Sequence, residues 1–157
     1  LILSGLLAII AGAAIAPTTA QAGCGGVRTG QPHRHVVPGR APLAIGDSTM
    51  LLALPDLTRR GFSVNAHGCR QFPEALALLR SLAHAHQLPR LVVIALGADG
   101  TVGRGDVGAA LRVLGRDRVL VLVTPRELGG GSGSDATTVR DAGRSHPAQV
   151  EILDWVA

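Results

Sequence analysis

A chain of 157 residues is one domain's worth, long enough to bury a single substantial core. Hydrophobic residues make up 46%, with no Tyr, two Phe and one Trp, so that core is aliphatic and suits a buried parallel sheet under helices. The net charge of +4 rests on arginines alone, scattered and without interleaved aromatics, which argues against a nucleic-acid binder that stacks bases.

Leu1 to Ala16 is almost continuously apolar, and Pro17-Thr18-Thr19 then breaks the run. Ala20-Gln21-Ala22 follows with the small-x-small pattern of a signal-peptidase site, so residues 1–22 are expected to be an export segment and the protein secreted or held in the cell envelope. Two competing readings keep the protein at the membrane: an uncleaved anchor, for which the run is short, and lipidation of Cys24, where Gln21 replaces the usual aliphatic residue. Residues 23–40 read as flexible linker, rich in Gly, Pro, His and Arg and without apolar periodicity. His33 and His35 stand there without a neighbouring carboxylate, so no metal site is expected. Cys69 is the only other cysteine and could pair with Cys24 in an oxidising compartment; Cys24 lies in a Gly- and Pro-rich tail and two cysteines make no framework, so a free, partly buried Cys69 is the simpler expectation.

From Ala41 the texture changes to regular alternation, and 41–157 is expected to form one domain. Strand-length apolar runs occur at Pro42–Ile45, Phe62–Asn65, Leu91–Leu96, Arg118–Val123 and Val150–Leu153. Helical stretches fall between them at Met50–Arg59, Phe72–His86, Val107–Leu114 and Ala136–His146. The second is the clearest, with Leu76, Leu79, Leu82 and Ala83 at helical spacing and Pro73 near its start. Gly129–Gly133 reads as a loop, with Ser134 or Asp135 available to cap the helix after it. Strand–helix alternation of this kind implies right-handed βαβ units and a parallel sheet.

Ligands of such sheets bind beyond the carboxyl ends of the strands, where the strand order reverses. Three strand ends carry suggestive turns. Gly46-Asp47-Ser48 puts a serine hydroxyl at a helix N-terminus, near free backbone N–H groups. His67-Gly68-Cys69-Arg70-Gln71 offers a glycine whose N–H can approach a reacting oxygen, and Gly97-Ala98-Asp99-Gly100 is again flanked by glycines. Convergent donors of this kind are what a tetrahedral oxyanion needs, each contributing about 3 kcal/mol. Any one turn alone is an ordinary junction; three after consecutive strands are not.

From Ala41 to Trp155 the chain resembles the SGNH (GDSL-type) hydrolase family, most closely the extracellular domains associated with peptidoglycan O-acetyltransferases. Ala44–Met50 is similar to the first block, whose serine is the nucleophile, and Asn65–Gln71 to the second, often D-A-x-x-G-R-Q. Val93–Gly100 is similar to the third, typically V-I-x-L-G-T-N-G; Val121–Arg126 resembles the strand ending V-P-R, and Ile152–Trp155 the one ending in Asp-Trp. The resemblance implies a three-layer α/β/α, flavodoxin-like fold with a parallel five-stranded sheet in the order 2-1-3-4-5. It implies Ser48 as catalytic nucleophile, with Ser48, Gly68 and Asp99 lining the oxyanion hole. Asp47, Arg70 and Arg126 are the candidate substrate contacts, with surface ion pairing the competing role for the two arginines. The substrate class implied is a short acyl ester, above all O-acetyl groups on cell-envelope carbohydrate, with no cofactor and no nucleic-acid partner.

Two departures qualify these expectations. The family's D-x-x-H block, which supplies the catalytic histidine and its aspartate, has no match before Ala157. The domain is therefore expected to be incomplete at its C-terminus, lacking its final helix, inactive as it stands and with an apolar patch near the first strands. Asp99 replaces the family's asparagine, and a carboxylate does not donate to an oxyanion as an amide does. The alternative function is a catalytically inactive domain that binds cell-wall glycan or a partner protein. A nucleotide or phosphate binder of the same fold would need more glycine and hydroxyl residues in the first turn.

Overall fold

The computed structural model describes residues 24–34, 38–126 and 133–155; the export segment expected at 1–22, His35 and most of the glycine-rich loop lie outside them. The described chain opens with a short strand, β1 (Arg28–Gly30), followed by β2 (Leu43–Gly46) and helix α1 (Ser48–Arg59). The alternation continues through β3 (Ser63–Ala66), α2 (Phe72–His84), β4 (Leu91–Ala95), α3 (Arg104–Leu114), β5 (Val119–Val123), α4 (Ser134–Ser145) and β6 (Val150–Leu153). Every element expected from the alternation is present, its ends moved by less than a helical turn.

The sheet runs β1-β3-β2-β4-β5-β6. Its parallel part, β3-β2-β4-β5-β6, has the expected order, with Ala44 opposite Val64 on one side and Val93 on the other. The sheet has six strands rather than five. β1 adds to the β3 edge in antiparallel register, Arg28 opposite Ala66 and Gly30 opposite Val64, inside the stretch expected to be linker. Arg-Thr-Gly has no apolar alternation; the pairing with β3 holds it in strand form, and local pattern carries no trace of that.

Alternating residues of each strand feed two cores. On one face Leu43, Ile45, Val92, Ile94, Leu120 and Leu122 pack under α2, α3 and α4, through Phe72, Leu79, Leu111, Leu114 and Val139. Each such fully buried side chain contributes about 1.5–3 kcal/mol relative to exposure. On the other face Ala44, Val64 and Ala66 pack under α1, through Met50, Leu51, Leu54 and Leu57. Gly46 lets α1 start this close, since a Cβ there would lie 2.5 Å from that of Met50. Among the described residues α1 alone packs on this face, over β2, β3 and part of β4, and the β5–β6 end is less covered. Val119 is 37% exposed there and Leu153 56%. No helix of the described residues is long and apolar enough to cross a membrane.

Candidate active site

Because β2 to β6 are parallel, their carboxyl ends open on one side of the sheet, and the order reverses between β2 and β4. Ser48 emerges there as the first residue of α1, exposed to solvent. Asp47 caps the helix: it is 1% exposed, and its Oδ1 accepts from the Thr49 N–H at 3.0 Å and the Thr49 hydroxyl at 2.7 Å. A carboxylate buried and committed in this way holds the turn, so Asp47 is a cap and not the substrate contact expected of it. The Ser48 N–H, in the first turn, has no intrahelical acceptor. Among the described residues nothing hydrogen-bonds the Ser48 hydroxyl.

The second turn is tied to the first. The His67 N–H donates to the Gly46 carbonyl at 3.1 Å, and the Arg70 N–H closes the turn onto the His67 carbonyl at 3.2 Å. Gly68 is buried, and among the described residues no oxygen accepts from its N–H. Cys69 is not free: it is bonded to Cys24 with the two Cα atoms 5.3 Å apart, and it is exposed rather than partly buried. His67 Nδ1 lies 3.4 Å from Glu74 Oε2, although not aligned for a hydrogen bond. Glu74 Oε1 accepts from the Gln71 N–H at 3.2 Å, capping α2.

Arg70, expected to meet substrate or a surface carboxylate, is 6% exposed and lies beneath the turn. One guanidinium nitrogen donates to the Asn65 carbonyl at 2.6 Å, the other to Asn65 Oδ1 at 2.6 Å, with the Gly46 carbonyl 3.5 Å away. Burial pulls its pKa below the usual arginine value, and the Glu74 charge opposes the shift. With the folded pKa lowered, the unfolded chain binds more protons between the two pKa values, so stability rises with pH across that interval. Arg70→Met would fill the space but strand the Asn65 acceptors. We expect a loss of about 2–4 kcal/mol in chemical denaturation; a change within about 0.5 kcal/mol would show that Arg70 braces nothing.

The third turn is joined to the second by Gln71. Its Nε2 donates to the Asp99 carbonyl at 2.9 Å and to the Cys69 carbonyl at 3.2 Å. A Cβ on Gly100 would overlap the Gln71 carboxamide, which explains that glycine. Gly97 has φ +117°, and a Cβ there would lie 2.7 Å from Pro125 Cγ, so the third turn also closes on the end of β5. Asp99 is half-buried, and among the described residues its carboxylate has no hydrogen-bond partner. Arg126 is exposed at the limit of the described segment.

A further polar cluster closes the β5–β6 end. The buried Thr124 hydroxyl donates to Asp154 Oδ1 at 2.9 Å and accepts from the Trp155 N–H at 3.1 Å. Arg140 on α4 grips the same carboxylate, Nε to Oδ2 at 2.6 Å and Nη2 to Oδ1 at 3.0 Å, and this hydrogen bonding raises the arginine's pKa. The signal for this cluster was Thr124 and Asp154 at the ends of adjacent apolar runs. His84 and His86 lie apart from the carboxyl edge, in a depression between α2 and α3 with Arg80 and Val113.

No protein-family model and no curated protein matches the chain. Among solved structures it is similar to the C-terminal catalytic domain of Streptococcus pneumoniae peptidoglycan O-acetyltransferase A (OatA), determined with a methylsulfonyl adduct. The two are 25% identical, with a TM-score of 0.63 over 74% of this chain and 70% of that one. Fold and blocks together make this chain SGNH-like, related to an acyltransferase or esterase type of catalytic domain.

Proposed function

We propose that this SGNH-like domain is an acyl-ester enzyme that carries a short acyl group on Ser48. The observation that carries the reading is an exposed serine at the first position of α1, in a turn joined through the His67 N–H and Gly46 carbonyl to the one that carries a buried Gly68 N–H with no acceptor among the described residues. The Ser48 oxygen attacks the ester carbonyl, and the negative charge that develops on the carbonyl oxygen is received by the N–H groups of Ser48 and Gly68. Collapse of the tetrahedral adduct expels the alcohol and leaves an acyl-serine. Water or a carbohydrate hydroxyl then takes the acyl group, giving hydrolysis or transfer. Attack requires a base to accept the serine proton; the family resemblance assigns that role to the histidine of a D-x-x-H block.

The name of the pneumococcal neighbour supports an acetyl group on peptidoglycan or a related envelope carbohydrate as substrate. The Cys24–Cys69 disulfide supports an extracytoplasmic site of action, as does the apolar segment at residues 1–22. The same segment offers membrane attachment. A second reading, a glycan-binding domain without turnover, draws on Asp99 and on a serine hydroxyl that has no hydrogen-bond partner among the described residues.

Covalent labelling separates the two. Incubation of the full chain, D-x-x-H block included, with methanesulfonyl fluoride, followed by peptide mass spectrometry, is expected to place the adduct on Ser48. Hydrolysis of p-nitrophenyl acetate is expected to disappear in step with labelling. A chain that stays unlabelled at Ser48 and binds envelope glycan unchanged would establish the binding reading instead.

A further inference from the structure

Four observations converge on the turn that carries Gly68. Cys69 has φ +55°, a left-handed conformation that a side chain with a Cβ disfavours, so something outside the turn must hold it. The disulfide to Cys24 does so from one side, and Gln71 Nε2, donating to the Cys69 carbonyl at 3.2 Å, from the other. Gly68 is pressed so closely on the Cys24 carbonyl that a Cβ would overlap it. The chain leaving Cys24 is otherwise held by the three-residue pairing of β1 with β3 and by the His33 N–H on the Thr58 carbonyl at 3.0 Å.

We propose that the Cys24–Cys69 disulfide is a positioning device for the Gly68 N–H, which makes chemistry at Ser48 sensitive to dithiols. The catalytic half of the inference rests on the acyl-ester reading above; the coupling of the bridge to the turn does not. Both cysteines are exposed, so a dithiol can reach the bond. One thiolate of the reagent attacks the Cys69 sulfur, the S–S bond breaks, and Cys24 leaves as a thiolate that takes up a proton. The second thiol of the reagent then displaces Cys69 as a thiol, and the reagent departs as its own disulfide, having given up two electrons and two protons. Without the bridge, Cys24 no longer backs Gly68 and the left-handed residue loses its covalent restraint. The donor aimed at the oxyanion then samples several orientations. Donation to the oxyanion is realised in the transition state and not in the bound ester, so its loss falls on kcat and spares KM.

The test compares the full chain oxidised, reduced with dithiothreitol, and as the Cys24→Ser/Cys69→Ser double variant. Hydrogen exchange read by mass spectrometry is expected to quicken by about tenfold or more over residues 66–71 on reduction, while β4 and β5 keep their protection. Turnover of p-nitrophenyl acetate is expected to fall by roughly 10²-fold in kcat at constant KM, as for loss of one oxyanion donor, and to return on reoxidation. The double variant should match the reduced chain. Unchanged exchange at 66–71 would overturn the inference, and so would loss of protection throughout β4 and β5, which would make the bridge a staple of the whole fold. No turnover and no Ser48 labelling in the oxidised chain would sink the acyl-ester reading, while quickened exchange confined to 66–71 would still establish the coupling.

Discussion

Ser48→Ala is expected to reduce turnover of a short acyl ester by roughly a thousandfold or more, because no acyl-enzyme can form without the hydroxyl. The fold should not notice. Ser48 is exposed, its hydroxyl makes no hydrogen bond among the described residues, and the cap of α1 is supplied by Asp47. Alanine is at least as good a helix former as serine, so the midpoint of thermal unfolding should stay where it is. A folded Ser48→Ala chain with wild-type turnover would remove Ser48 from the chemistry, and with it the acyl-serine route. The opposite control is Asp47→Ala, which removes the side-chain acceptor of the Thr49 N–H and is expected to cost about 1 kcal/mol.

Asp99→Asn is expected to act in the other direction, raising kcat by roughly 10- to 100-fold. Asp99 stands in the turn after β4, next to the strand that delivers Ser48, and its carboxylate has no hydrogen-bond partner among the described residues. A carboxylate accepts hydrogen bonds and donates none unless it is protonated, whereas an amide offers two donors. A negative oxyanion forming nearby would therefore meet repulsion from one and stabilisation from the other. The backbone at this position is held by the Gln71 bond to the Asp99 carbonyl, which the substitution does not touch. An unchanged or lower kcat for the asparagine variant, with KM unaltered, would mean that residue 99 does not face the oxyanion and that backbone N–H groups alone receive the charge. A gain in kcat that vanishes in Ser48→Ala would tie the effect to the same acyl transfer.

Much of the candidate site was legible because its parts are short and local. A glycine-bearing turn at the end of an apolar strand-length run is a pattern within seven residues, and three of them in succession after β2, β3 and β4 pointed to one edge of one sheet. Arg70 shows where that legibility stops. As a residue type beside a turn it reads equally well as a substrate contact or a surface cation. Only the position of Asn65 and the Gly46 carbonyl reveals it as a buried brace. Gln71 shows the same limit, since its role depends on the Asp99 carbonyl, 28 residues away. Cys24 and Cys69 are 45 residues apart, and their pairing follows from the way the N-terminal segment is carried back along β3.

Residue periodicity and turn chemistry were enough to establish an aliphatic α/β domain, the succession of its strands and helices, and the serine at the tip of β2. They were enough because burial on two sheet faces imposes apolar runs of strand length, and helices laid between them impose a different spacing. What folding in three dimensions decided was which distant groups meet. It recruited Arg28–Gly30 as an edge strand, turned Asp47 and Arg70 inward as supports, and bolted the Gly68 turn to Cys24 through a disulfide. The edge strand and the disulfide depend on pairings between residues far apart in the chain, which leave no signature in either partner's own neighbourhood, and the burial of Asp47 and Arg70 depends on how the strands and helices pack around their turns.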